Sequence, residues 1–174
     1  MRRKITYGLA AILCSLALTG CDEQDDGSSV DPITVYEKIN GDWGLMNLKM
    51  VDEFAKANNI QPNEQNLSTL FNYENFQINF SVGENNEPTT YQVTGEVPPL
   101  FSPGGYWELS SAFQPTNSGG MRIFLYSDAA RTQKTDELRL TSVPGSNGEM
   151  ELQLVRTADG TPFVSYVFRL NSLN

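Results

Sequence analysis

From Phe76 to its last residues the chain alternates apolar and polar side chains with a period of two, in short runs broken by turn sequences. Phe76, Ile78, Phe80 and Val82 alternate with Gln77, Asn79 and Ser81, and Tyr91, Val93 and Val97 alternate with Gln92, Thr94 and Glu96. The same pattern returns in Ile123 and Leu125, in Leu138 and Leu140, in Met150, Leu152 and Leu154, and in Val164, Tyr166, Phe168 and Leu170. A period of two places one side of each run on a core and the other in water, so each run reads as a half-buried strand. Gly83-Glu84-Asn85-Asn86, Pro144-Gly145-Ser146-Asn147-Gly148 and Ala158-Asp159-Gly160 are turns, the last carrying the strongest hairpin signal. Residues 97–105 hold three prolines and cannot be a central strand, because proline donates no ladder hydrogen bond. With a first strand at residues 43–51 the count is eight. Nothing between the later strands is long enough for a crossover, so the sheet is antiparallel. Eight such strands close into an up-and-down barrel or split into a sandwich, and closure removes exposed edges. The expectation is an all-β, eight-stranded antiparallel barrel.

The first strand opens on Gly41-Asp42-Trp43-Gly44-Leu45, and the spelling Gly-x-Trp-x-Leu returns as Gly105-Tyr106-Trp107-Glu108-Leu109; these are the chain's two tryptophans. In the first copy parity slips: Trp43 and Leu45 share one face, whereas Met46, Leu48 and Met50 share the other. A bulge near Leu45 or a strand covered on both faces accounts for this. Residues 32–40 read as a helical turn closing one end. Residues 52–71 lose the period of two, and there Asp52 caps a short helix through Asn58 while Asn63 caps a second carrying Leu67, Leu70 and Phe71.

The Gly41-x-Trp43 opening resembles the signature that begins the first strand of lipocalins and fatty-acid-binding proteins. Together with the helical insertion and the meander order, it resembles the lipocalin-like domains of secreted bacterial lipoproteins, over residues 33–174. The resemblance implies that Trp43 is a structural anchor plugging the closed end. It also implies that the insertion sits where fatty-acid-binding proteins carry a lid and lipocalins a large loop, with an ordinary surface excursion as the other reading.

Residues 1–20 read as a signal peptide: a basic start (Arg2, Arg3, Lys4) and an apolar run from Ile5 to Leu18, too short for a membrane span. Leu18-Thr19-Gly20-Cys21 resembles the bacterial lipobox, which implies cleavage before Cys21 and lipid attachment to it. Residues 21–32 are acidic and small, a flexible tether between bilayer and domain. Asp25 and Asp26 in that tether resemble a surface-export tag, whereas Asp22 resembles an inner-membrane retention signal; the outer surface is the preferred location. Loss of the leader leaves nine basic residues against 21 acidic ones, a formal charge of −12. Such a chain is not expected to bind nucleic acid, which needs basic clusters, and its membrane attachment should rest on acyl chains alone.

The chain has no histidine, and after lipidation of Cys21 no free thiol, so histidine- and thiolate-based catalysis and metal sites are excluded. Its carboxylates show no catalytic or calcium-loop spacing, so no enzyme activity, cofactor or metal is expected. The binding argument rests on aromatics. Phe76, Phe80, Tyr91 and Trp107 fall on inward faces, where they fill a small barrel or line a ligand hole. Arg169 falls on the outward parity of the last strand. Two functions follow: a non-catalytic binding protein for a small apolar or sugar-like ligand, or an interaction subunit with a filled barrel that docks another envelope protein or a surface glycan-uptake protein.

Overall fold

The computed structural model describes residues 31–115 and 120–173. The expected signal peptide, the expected lipid site Cys21 and nearly all of the expected tether lie outside the described residues. The chain runs α1 (Val35–Ile39), β1 (Gly41–Asp52), α2 (Glu53–Ala57), β2 (Glu64–Asn66), a 3-10 turn (Tyr73–Asn75), β3 (Gln77–Val82), β4 (Pro88–Thr94), β5 (Gly104–Leu109), β6 (Met121–Tyr126), β7 (Lys134–Ser142), β8 (Glu149–Ala158) and β9 (Thr161–Ser172). From β3 to β9 every strand pairs antiparallel with the next in sequence, and β1 closes the ring by pairing with both β3 and β9. The result is the expected closed, eight-stranded up-and-down barrel, with β2 appended to the upper half of β1.

The parity slip in β1 has its cause in the pairing. Leu45 lies opposite Leu170 and Asn47 opposite Arg169, so Met46 is the extra residue of a bulge. The bulge turns Trp43, Leu45, Leu48 and Met50 all inward, where Leu48 faces Phe168 and Met50 faces Tyr166. Asp159 and Gly160 both have positive φ (49° and 77°), the geometry of the two-residue hairpin turn the sequence predicts.

Two of the expectations for residues 52–71 divide. Asp52 does cap α2, its carboxylate accepting from Ala55 N at 2.8 Å. The second helix expected after Asn63 does not form: residues 64–66 are β2, paired Lys49↔Asn66, Met50↔Gln65 and Val51↔Glu64. Upper β1 has lost β3 as a neighbour, and its free backbone groups recruit this strand in preference to an isolated helical turn. Nor does α2 cover an end of the barrel. It packs on the outer wall, over Val51 of β1 and Ser165 of β9, whose hydroxyl donates to the Glu53 carboxylate. That cover buries an outward-facing serine completely.

At one end of the barrel, α1 lies across the opening. Its N-terminus carries a reciprocal cap between Thr34 and Glu37, and its buried face is Val35 and Ile39. Val35 N donates to Ala112 O, and Leu109 N donates to the Tyr36 hydroxyl at 3.2 Å, which ties the helix to the end of β5, three strands round the ring from β1. This is the closed end.

Candidate functional site

The barrel interior is built from two aromatic layers. Toward the closed end, Phe80 and Trp107 pack with ring centroids 5.1 Å apart, Tyr36 lies 5.5 Å from Trp107, and Tyr91 lies 6.5 Å from Phe80. Toward the other end, Phe76, Phe101 and Phe168 form a triangle with centroid distances of 5.3–6.5 Å. Of the four residues singled out as interior candidates, Phe80, Tyr91 and Trp107 are thus together in the lower layer, and Phe76 stands apart in the upper one. All four are buried. The polar tips are satisfied: Trp107 Nε1 donates to Ser81 O at 3.0 Å and Tyr91 OH to Ser102 O at 3.0 Å. Trp43 is buried beside α1, its Nε1 donating to Ile39 O at 2.9 Å. Among the described residues no buried side-chain nitrogen or oxygen lacks a partner.

The mouth is the end where β1 finishes and β9 begins. There the barrel is crossed by a strap, residues 95–103, between β4 and β5. Pro98-Pro99 and Pro103 keep it out of the sheet, as the sequence predicts. Asp136 and Arg156 hold it in place. Their positions continue the inward parity of Leu138 and Leu140 on β7 and of Leu152 and Leu154 on β8, so both point into the mouth. Arg156 Nη1 pairs with Asp136 Oδ1 at 2.9 Å and Nη2 donates to Leu100 O, while Asp136 Oδ2 accepts from Ser102 N at 3.3 Å. The strap buries Phe101 in the upper aromatic layer.

Beside the strap lies an apolar cleft of about 350 Å³ lined by Met50, Leu67, Leu70, Phe71, Tyr73, Leu100 and Tyr166, with Gln65 at its edge. Leu70 and Phe71 stand out in solvent, 40% and 68% exposed. A second hollow of about 190 Å³ lies on the far side of Leu100, between the strap and the end of β4. Arg169 points outward and pairs with Glu149 at 2.7 Å, a contact that raises its pKa.

The family model described as "Domain of unknown function (DUF5004)" matches residues 19–171. The chain belongs to the DUF5004 family. No curated protein matches its sequence significantly. In this DUF5004 barrel, the mouth residues Asp136, Arg156 and Leu100 were missed by sequence reasoning. A signal for them exists: Asp136 and Arg156 are charged residues on the apolar parity of their strands, which an outward-facing charge would not be. The cleft wall at Leu67, Leu70 and Phe71 was noticed only as the apolar face of a helix. No group of three or more acidic or thiol side chains among the described residues is placed to hold a metal ion.

Proposed function

We propose that the protein is a non-catalytic, lipid-anchored binding module of the cell envelope, and that it binds a small apolar molecule in the cleft at the barrel mouth. The carrying observation is the contrast between a barrel interior occupied by packed aromatic rings and a cleft beside it that is apolar, open and about 350 Å³ in volume. That volume is at the small end of the range for small-molecule sites. Only Gln65, Tyr73 and Tyr166 bring polar groups to a lining that is otherwise apolar, so the occupant is recognised mainly by shape and apolar area. The acidic domain offers no attraction to nucleic acid or anionic lipid, and attachment to the outer membrane, facing outward, rests on acyl chains at Cys21.

The test is a titration of the full chain with the apolar dye anilinonaphthalenesulfonate. Leu70→Ser, which makes one cleft wall polar, should weaken binding several-fold at an unchanged denaturant midpoint, since Leu70 is already half in water. A dye affinity that ignores Leu70→Ser removes the cleft as the site. A second reading has its own observation: Phe71, 68% exposed on the rim, suits a protein partner that covers the mouth. Under that reading Phe71→Ser abolishes association with an envelope protein, read by co-purification from the envelope.

A further inference from the structure

The strap is attached to the barrel in a way that its neighbours are not. Apart from Val93 N donating to Pro103 O at 2.6 Å near its end, it is held by side chains. Arg156 donates to Leu100 O, Asp136 accepts from Ser102 N, Tyr91 OH donates to Ser102 O, and Tyr73 OH donates to Pro98 O at 3.0 Å. Side-chain hydrogen bonds release by a rotamer change, whereas a backbone ladder releases only by breaking the sheet. At one end of the strap stand Gly95 and Glu96, both with positive φ (104° and 52°). A Cβ at Gly95 would lie 1.9 Å from Asn75 O, so only glycine fits. Gly104 and Gly105 follow the other end. Between these ends Pro98, Pro99 and Pro103 stiffen the chain. The strap is therefore a stiff segment between two glycine-bearing ends, latched by four removable contacts.

We propose that Leu100-Phe101 is a tethered occupant of the binding site. The Phe101 ring, wedged 6.5 Å from Phe76 and 6.0 Å from Phe168, takes the place of an apolar ring of the ligand, and Leu100 O on Arg156 takes the place of a ligand oxygen. This rests on the mouth-cleft reading and names its ligand class and its gate. When the strap lifts, the hollows on either side of Leu100 join, and the space vacated by Phe101 deepens them into the upper aromatic layer. The ligand is a flat, ring-bearing apolar compound with one acceptor oxygen. Asp136 already occupies Nη1 and balances the guanidinium charge, so Nη2 is left for one acceptor oxygen, and a doubly charged phosphate facing that carboxylate does not fit. The lower layer, Phe80 and Trp107, takes no part.

The full chain titrated with anilinonaphthalenesulfonate, which carries apolar rings and one sulfonate, tests this. Tyr73→Phe/Tyr91→Phe removes two latching hydroxyls and keeps every ring in place. The apparent affinity of a gated site is its intrinsic affinity reduced by the open fraction, so this variant should bind the dye about tenfold more tightly as that fraction rises. Phe101→Ala should tighten binding at least as much, and adding Arg156→Gln to it should reverse much of the gain. Amide hydrogen exchange of the unaltered protein gives a readout independent of variant folding: Ser102, whose amide is bonded to Asp136 only while the strap is down, should exchange faster than the barrel strands and faster still when the dye holds the strap open. Unchanged affinity in the Tyr73→Phe/Tyr91→Phe variant, or a Ser102 amide as protected as its neighbours in β4, overturns the gate. If Leu70→Ser still weakens the dye while the strap variants do nothing, the cleft stands and the gate falls; if no variant or parent binds the dye, both fall.

Discussion

Trp43 and Trp107 occupy matching spellings in the sequence and matching depths in the fold, each nearly fully buried with its indole N–H on a backbone carbonyl. Replacing either with alanine removes a large apolar side chain and leaves a cavity that rigid sheet neighbours cannot collapse. The expected cost is about 3–5 kcal/mol each, against the roughly 5–15 kcal/mol total of a domain. Urea unfolding should show both midpoints sharply lowered, and an unmoved midpoint for Trp43→Ala would remove it as a core anchor. Ionisable side chains set the pH limits. Burial pushes the hydroxyls of Tyr36, Tyr73 and Tyr91 above the ordinary tyrosine value of 10.0. Because the folded pKa is the higher one, their contribution to stability is complete below pH 10 and is lost as pH rises through the folded values. Glu37 is lowered by its hydrogen bonds to Thr34, and Asp128 by those to Gln133 and Thr132, so their contributions are present above the ordinary carboxylate range and are lost as pH falls through the lowered values. Chemical denaturation across pH should give a plateau falling at both ends; Tyr36→Phe should flatten the alkaline side.

Among the elements, the strands were legible because alternation and turn chemistry agree over many residues, as at Ala158-Asp159-Gly160. The segment 52–71 was legible only where a local device fixed it. Asp52 caps α2 through a contact three residues away, visible in the sequence, and Asp52→Ala should cost about 1 kcal/mol. Strand β2 was not legible, since it exists only because the bulge and twist of β1 leave upper β1 without β3. The role of α2 was hidden for a related reason: Ser165 reads as a solvent-facing residue until the helix lies over it. The mouth shows the same limit. Asp136 and Arg156 each carry a local signal, a charge on the apolar parity of a strand, but only the barrel brings them together under the strap. Arg131, held at φ 53° in the β6–β7 turn, is another long-range device. Its Nε donates to Trp107 O at 3.1 Å and its guanidinium to Pro88 O, bridging β4 and β5 beyond their last register pair, Thr90↔Tyr106. Arg131→Met should strand two carbonyls and cost about 1–3 kcal/mol, measured as a shift in thermal or urea midpoint.

For the molecule as a whole, the proposed function divides the work between a closed barrel and the surface at its mouth. In the lower layer of the interior Tyr36, Phe80, Tyr91 and Trp107 pack against one another, all but Tyr36 fully buried. On the proposed lipid anchor, membrane association belongs to the chain outside the barrel. Each buried methylene contributes roughly 0.8 kcal/mol, so two or three acyl chains at Cys21 suffice without help from an acidic domain. Cys21→Ser should move the protein entirely to the aqueous phase in detergent partitioning, and continued entry into detergent would refute the lipid anchor. Whether the protein binds at its strapped mouth, as proposed, is decided by mapping backbone and indole chemical shifts during titration with anilinonaphthalenesulfonate. Shifts are expected at Met50, Leu67, Leu70, Tyr73, Leu100, Ser102 and Tyr166 with a still Trp107 indole N–H; shifts centred on Phe80 and the Trp107 indole, with Leu70 and Leu100 unmoved, would place the ligand inside the barrel and overturn the mouth as the site.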